Sequence, residues 1–412
     1  MGSSPSIEHP PAAPKVPLID RSRLEEFENY ERELATSYGM KGRVNSAEVF
    51  ERAKGDMIEV EQLRSVRQPK LDNLKILRSI RELPSGPRHA FGQGSAADCS
   101  RIYAIIIGIN NYDSDELKGC VADAVSINDY LTTKLRVPKE RVRLLLGCRA
   151  SDNYPNHSFV EPTRQNIVET LCSLASNTNI QHGDRIIIYY SGHGATYSCK
   201  ELFPDGVAST GFIQAICSSD RQPFDAPPPT QPHDISGREI NVILREVARS
   251  KGHHITLIMD CCFSGGGGRA LQQEVHIRAT AARAANSSLL EMLREGHDNL
   301  QRVFPTYHQN SASASIMDPH WRPDTSSYVL LAACQDYQRA LEVNISKGEP
   351  GEGMPVEPEY RGVFTANIVD SLSSGLLDKG ITFVHFVDSL PQWSRQTPLA
   401  AGDHKIEPLF FL

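Results

Sequence analysis

Residues Tyr103–Ile109 read YAIIIGI, an uninterrupted apolar run that is rich in β-branched side chains. Such a run is typical of a strand buried on both faces, as strands are in parallel sheets. Two later runs have the same character, RIIIYY at Arg185–Tyr190 and ITLIMD at Ile255–Asp260. The sequence therefore predicts a sheet that is covered by helices on both faces.

Further strands and helices are predicted outward from these three runs. Helical patterns at 119–134, 163–177, 236–250 and 365–376 alternate with short strands at 142–146, 212–217 and 328–333. This alternation predicts an α/β fold, a three-layer sandwich with a mostly parallel sheet of about six strands. In such folds, functional sites form beyond the carboxyl ends of the strands.

Composition narrows the class of protein. The net charge is -7 and no basic stripe stands out, so we expect no nucleic-acid partner. No apolar run approaches the roughly 18 residues that cross a bilayer, so we expect no membrane partner. Nine cysteines without framework spacing suit free thiols in a reducing compartment. We expect a cytoplasmic protein, with the nucleus open as a second location.

Two reactive side chains follow buried strands. His193 lies in YYSGHGA, between two glycines, and Cys262 lies in MDCCFSGGGG, where the apolar run ends. Either residue alone would have a plain interpretation, as a turn histidine or an inert buried cysteine. Because neighbouring parallel strands lie about 5 Å apart, their end residues can share one crevice. The pair therefore predicts a catalytic dyad.

The chemistry of such a dyad is specific. A thiol is mostly protonated at neutral pH, and a neighbouring imidazole raises the fraction of the nucleophilic thiolate. The same imidazole then protonates the leaving amine. We expect the backbone N–H groups of Gly194 and Cys262 to stabilise the oxyanion.

Four ordered motifs resemble one family. They are Tyr103–Ile109, GCVADA at Gly119–Ala124, SGHG at Ser191–Gly194 and DCCFSG at Asp260–Gly265. Together they resemble the caspase-domain cysteine peptidases of the peptidase C14 type, most closely fungal metacaspases. VLLAACQDYQRALE at Val329–Glu342 is similar to the small-subunit segment of that family. The resemblance implies a caspase-like fold and peptide-bond hydrolysis by His193 and Cys262.

The resemblance also implies a substrate pocket. Asp123 and Asp260 match the acidic residues of the S1 pocket of the family, with Cys120 and Ser191 beside them. Two carboxylates near a nucleophile favour a cationic side chain, so we expect cleavage after Arg or Lys and not after Asp. Plainer interpretations stay open, since Asp123 could stabilise a helix N-terminus and Asp260 could cap a loop.

The predicted organisation has two parts. Residues 1–97 form an N-terminal tail and charged helical extension, and residues 98–412 form the peptidase domain. Within that domain, 98–264 is large-subunit-like, 265–325 is a linker and 326–412 is small-subunit-like. The linker carries several arginines at which a zymogen of this kind could cut itself: Arg269, Arg278, Arg283, Arg294 and Arg302.

Several questions stay open at this level. The sequence requires no cofactor and identifies no metal ligands. Calcium as an activator stays open, because many metacaspases bind it, although Asp205, Asp220, Asp225 and Asp234 are scattered here. A catalytically silent scaffold that acts through the N-terminal region is the alternative function, and a paracaspase-like signalling protease is a third interpretation. The resemblance implies a role in regulated cell death or protein quality control, with an undetermined oligomeric state.

Overall fold

The apolar runs of the sequence form neighbouring strands of one six-stranded sheet in the computed structural model. Its members in chain order are β1 (Ile102–Ile109), β2 (Val142–Gly147), β3 (Arg185–Ser191), β7 (Ile255–Asp260), β9 (Val329–Ala332) and β12 (Leu399–Ala401). Across the sheet the order is β12-β9-β7-β3-β1-β2. All pairs are parallel except β12 with β9, which is antiparallel.

The structure describes part of the chain. The described residues are 98–113, 116–150, 152, 154, 156–200, 202–203, 211–221, 232–263, 275–278, 286–307, 315–334, 340–344, 360–377, 380–391 and 396–412. The predicted N-terminal extension 1–97 lies outside them. So do Asp205, Asp225, Arg269 and Arg283.

Six α-helices cover the sheet within the described ranges. They are α1 (Cys120–Asp129), α2 (Arg164–Ser176), α3 (Gly237–Lys251), α4 (Asn286–Val303), α5 (Val363–Ser373) and α6 (Phe383–Ser389). The hydroxyls of Thr163 and Ser236 accept N–H bonds that start α2 and α3. A one-turn π-helix, Tyr130–Lys134, continues α1. No helix among the described residues is long and apolar enough to cross a membrane.

Side chains of β1 show how the two layers of helices are placed. Ile105 and Ile107 belong to the apolar cluster that includes α2, α3 and α4. Ala104 and Ile106 belong to the cluster on the other face, with α1, α5 and α6. Alternate residues of a strand point to opposite faces, so the continuous apolar run serves two cores. The predicted three-layer α/β sandwich is confirmed.

One predicted strand belongs elsewhere. The run Phe212–Cys217 was expected among the six strands of the main sheet, but β5 (Phe212–Ile216) pairs antiparallel with β4 (Gly194–Ser198) and β6 (Ile235–Ser236) in a separate small sheet. Phe212 is 42% exposed. A strand with one solvent-exposed face is typical of an antiparallel sheet, whereas the strands of the main sheet are buried on both faces. The sixth place in the main sheet is taken by β12.

A second small sheet lies where the site forms. It contains β8 (Val275–Ile277), β10 (Leu341–Asn344) and β11 (Tyr360–Gly362), all antiparallel. The segment 265–325, expected to be a linker, thus contributes β8 to this sheet. It also contributes α4, whose Met292 and Leu293 are fully buried in the core.

Candidate active site

His193 and Cys262 lie at the same edge of the central sheet. The register of β3 and β7 pairs Ser191 with Asp260, and each reactive residue follows two positions later in its own strand's direction. Both side chains are buried. The structure therefore brings the two predicted dyad residues to adjacent strand ends, as parallel pairing requires.

Two tyrosines hold the backbone around His193. The His193 N–H donates to the Tyr112 hydroxyl at 3.0 Å, and the Tyr190 hydroxyl donates to the His193 carbonyl at 2.7 Å. The Tyr112 and His193 rings are tilted by 50° with centroids 4.6 Å apart. Sequence reasoning missed both tyrosines in this role. The Tyr112 contact joins residues 81 positions apart, and the Tyr190 contact, although local, depends on how the chain turns after β3.

The predicted oxyanion donors converge on one oxygen. The N–H groups of Gly194 and Cys262 both donate to the carbonyl oxygen of Arg278, at 3.2 Å and 3.1 Å. A Cβ at position 194 would lie 2.1 Å from the Cys262 carbonyl oxygen. Only glycine therefore allows these two loops to approach closely enough to form the pair of donors.

The backbone around Arg278 binds as an added strand. β8 pairs antiparallel with β10, and the Arg278 N–H donates to the Ala340 carbonyl at 3.2 Å. The Cys262 thiol donates to the same carbonyl at 3.3 Å. An extended segment that adds to a sheet edge is a common mode of peptide recognition.

The Arg278 side chain fills an acidic pocket. Its guanidinium is fully buried and contacts the carboxylates of Asp123 at 2.5 Å and Asp260 at 2.9 Å, and donates to the Ser191 hydroxyl at 2.8 Å. The predicted S1 residues Asp123, Ser191 and Asp260 thus surround one cation. Cys120 lies in the same environment, and burial raises the pKa of its thiol well above the usual range.

A third carboxylate of the pocket, that of Glu342, was not predicted from the sequence. Glu342 is fully buried, and its Oε2 lies 3.5 Å from Nη2 of Arg278. Backbone N–H groups of Lys118 and Gly119 donate to its two oxygens. The only signal in the sequence was its place at the end of the small-subunit-like segment, because β10 and α1 are far apart along the chain.

The absence of a side chain at Gly362 leaves space in the pocket for the guanidinium of Arg278. A Cβ there would lie 2.4 Å from Nη1 of Arg278 and 2.4 Å from Oδ2 of Asp260. The Gly362 N–H also donates to Oδ2 of Asp123 at 2.8 Å. Any larger residue would occupy the space that the guanidinium uses.

The side chains of both aspartates also lie at the starts of helices. Asp123 lies in the first turn of α1, and Asp260 accepts bonds from the N–H and hydroxyl of Thr365 near the start of α5. Burial raises the pKa of Asp123 to about 7, with Arg278 opposing and Asp260 adding to the shift. Both aspartates therefore lie in or contact the first turn of a helix and also contact the guanidinium of Arg278.

Two acidic residues named for calcium are engaged in other contacts. Asp220 accepts the Arg164 N–H at 2.9 Å. Asp234 pairs with Arg221 at 2.8 Å and accepts the Tyr197 hydroxyl. Among the described residues these two are bound to protein groups.

The strand order defines an α/β sandwich in which the predicted dyad residues His193 and Cys262 follow adjacent strand ends. Residues 103–268 match the family described as "Metacaspase, peptidase C14 domain", so this part of the chain is similar to a family of cysteine peptidases. The predicted resemblance is confirmed.

Relatives come from plants, fungi and trypanosomes. The chain is 29% identical over 164 residues to Metacaspase-7 of Arabidopsis thaliana, covering 40% of this chain and 34% of the relative. It is 28% identical over 191 residues to Metacaspase-1B of Neurospora crassa (44% and 40%), and 30% identical over 167 residues to Metacaspase-3 of Trypanosoma cruzi (39% and 40%). The match thus spans well under half the length of these curated relatives.

Proposed function

We propose that this protein is a cysteine endopeptidase that hydrolyses peptide bonds after Arg, and less efficiently after Lys, and that it cleaves its own chain after Arg278. One observation carries the proposal. The Arg278 side chain lies among three carboxylates while its carbonyl oxygen accepts from both predicted oxyanion donors. Segment 275–278 is thus bound as a substrate would be, with Arg278 at the position before the cleaved bond.

The reaction follows from this arrangement. The Cys262 sulfur attacks the Arg278 carbonyl carbon, and the N–H groups of Gly194 and Cys262 stabilise the resulting oxyanion. His193 takes the thiol proton and gives it to the departing amine of Ala279, which breaks the peptide bond. Water, deprotonated by His193, then hydrolyses the thioester and frees the Arg278 carboxylate and the thiol.

Selectivity for Arg over Lys rests on geometry. Nη1 contacts Asp260 and Ser191, whereas Nη2 contacts Asp123 and Glu342. A planar guanidinium reaches both pairs of partners at once through its two terminal nitrogens. The ammonium of Lys is a single point charge and cannot do the same. An acidic side chain in this pocket would meet three carboxylates and, among the described residues, no cation other than the Arg278 that it replaces, so cleavage after Asp is disfavoured.

Self-processing is tested by intact mass analysis of purified wild type, Cys262→Ala and Arg278→Gln. Wild type should yield fragments 1–278 and 279–412, and Cys262→Ala should stay whole. Arg278→Gln should lose this cut, whereas Arg294→Gln, an exposed arginine of α4, should keep it. Because the segment occupies the site of its own chain, the rate should not depend on protein concentration. An unchanged cut in Cys262→Ala would refute the assignment.

Peptide assays test the rest of the proposal. Peptides that end in Arg, Lys, citrulline or Asp are compared, each with calcium and with chelator. Cleavage in the order Arg, Lys, citrulline, with none after Asp, is expected, and a calcium response would support calcium as an activator. Cleavage after Asp would overturn the pocket, and silence toward every peptide would favour the scaffold alternative. The cytoplasmic or nuclear location and the role in cell death stay predictions.

A further inference from the structure

A group of histidines lies at the opposite end of the central sheet from Cys262. His253 and His254 form the turn between α3 and β7, and His404 and Glu407 lie in the C-terminal turn 402–407. β7 then runs its six residues, roughly 20 Å, before the Cys262 loop begins. The group is therefore separate from the dyad and from the acidic pocket.

Three potential metal ligands converge there. One atom from each of His253, His404 and Glu407 lies within 4.8 Å of the other two. Nδ1 of His404 is 2.6 Å from Oε1 of Glu407, and Nε2 of His253 is 3.8 Å from the same oxygen. The His253 and His404 rings are stacked, with centroids 3.9 Å apart and an angle of 15°. A surface ion pair explains His404 with Glu407, but it does not explain why His253 meets them from a distant segment.

Hydrogen bonds hold the backbone of the histidine turn and of the C-terminal turn in place. The Ile186 N–H donates to the His254 carbonyl at 2.8 Å, which attaches the histidine turn to β3. The Phe383 N–H donates to the Glu407 carbonyl at 3.2 Å, which attaches the C-terminal turn to α6. The side chains themselves are partly exposed. The exposed fraction is 42% for His253, 25% for His404 and 36% for Glu407. Binding of an ion would therefore require movement of these side chains and not of the backbone.

We propose that His253, His404 and Glu407 bind a borderline divalent transition metal ion, best represented by Zn²⁺. Two imidazoles and one carboxylate form a ligand set that zinc accepts, with water in the fourth position. Zinc–ligand bonds of about 2.0–2.1 Å bring ligand atoms to about 3.3 Å from one another, so a contraction of roughly 1.5 Å suffices. Calcium is the wrong ion here, because it requires six to eight oxygen ligands.

Binding would link two distant parts of the chain. His253 precedes β7 in the middle of the sheet, whereas the other two ligands lie in the last eleven residues of the sequence. An ion that binds only the folded state stabilises that state by an amount that grows with the logarithm of the ion concentration above the dissociation constant. The ion would therefore hold the C-terminal turn against the sheet.

The experiment titrates ZnCl₂ into the full chain by isothermal calorimetry, in a Cys262→Ala background that removes the reactive thiol and keeps the chain whole. His253→Ala, His404→Ala and Glu407→Gln are compared with His385→Ala, which removes an exposed histidine of α6. Co²⁺ replaces Zn²⁺ in a parallel titration, so that visible absorption reports the ligand geometry. Melting temperature without metal checks that each variant folds.

The Cys262→Ala protein, with or without His385→Ala, should bind one more equivalent of Zn²⁺ than the variants that also carry His253→Ala or His404→Ala. Glu407→Gln removes the anionic ligand and should weaken that site at least about tenfold, because the loss of a mere outer-shell partner of a ligand already costs about that much. Zinc should raise the melting temperature only where the site is intact. Equal stoichiometry and equal melting shifts in all variants would overturn the proposal. Because every protein in the series lacks the nucleophile, the result is independent of the proposed peptidase activity.

Discussion

Replacing Asp123 by Asn removes one negative charge from the acidic pocket and almost nothing else. Oδ2 of Asp123 contacts Arg278 at 2.5 Å and accepts the Gly362 N–H at 2.8 Å, and the amide oxygen of Asn can take both places. Oδ1 is buried and has no hydrogen-bond partner among the described residues, so the amide nitrogen displaces no existing bond. The substitution therefore isolates the contribution of charge.

The expected magnitude follows from the contacts that remain. Truncating one member of a buried, hydrogen-bonded ion pair costs about 2–5 kcal/mol. The carboxylates of Asp260 at 2.9 Å and Glu342 at 3.5 Å still face the guanidinium, so we take the lower part of that range. A loss of about 2–3 kcal/mol corresponds to a fall of about 30- to 150-fold in kcat/KM for a peptide that ends in Arg.

The assay compares Arg with citrulline, which has nearly the same shape and no charge. Asp123→Asn should lower kcat/KM for the Arg peptide by the stated factor and leave the citrulline peptide nearly unchanged, so the preference for Arg shrinks. Asp129→Asn, an exposed aspartate of the same helix, should change neither value by more than about twofold. Equal losses on both peptides would refute the reasoning, because they would show that Asp123 acts through the fold and not through its charge.

Three further outcomes are expected. Because burial raises the pKa of Asp123 to about 7, its charge is lost as pH falls through that value, so the preference for Arg over citrulline should decline from about pH 8 to about pH 6 and become flat in Asp123→Asn. Gly362→Ala would place a methyl group 2.4 Å from Nη1 of Arg278 and should lower kcat/KM for Arg peptides about 5- to 150-fold, from a cost of about 1–3 kcal/mol. Leu293→Ala should lower the free energy of unfolding by about 2–5 kcal/mol in denaturant titration, whereas Val303→Ala on the same helix, 38% exposed, should change it by no more than about 0.5 kcal/mol.

The sheet was predictable where burial alone decides structure. The runs at Tyr103–Ile109 and Ile255–Asp260 are mostly apolar, and every residue of the corresponding strands is buried, as in strands that are covered on both faces. Parallel pairing then fixes where the strands end, so His193 and Cys262 were predicted to be neighbours without any knowledge of side-chain contacts. β12, a strand of three half-buried residues, has no comparable signal.

The pocket was less predictable because its parts come from short strands whose register the sequence does not reveal. Arg278 was one of five linker arginines, and its selection depends on the pairing of β8 with β10. The same pairing brings Glu342 to the guanidinium, and the adjacent strand β11 brings Gly362. A strand of three or four residues carries too short a pattern to reveal its register, so its partners follow from the folded structure.

The occupied pocket and the proposed preference for Arg would have the same electrostatic origin. Asp123, Asp260 and Glu342 are all fully buried, and a single guanidinium lies between them. Without a cation, three carboxylates in a dry pocket repel one another, so the pocket must take up water or protons before it can stand empty. Binding any Arg side chain removes that cost, and Arg278 does so first because it belongs to the same chain. The proposed cleavage after Arg278 would free the segment to leave, and the pocket would then have the same reason to bind an Arg side chain from another protein.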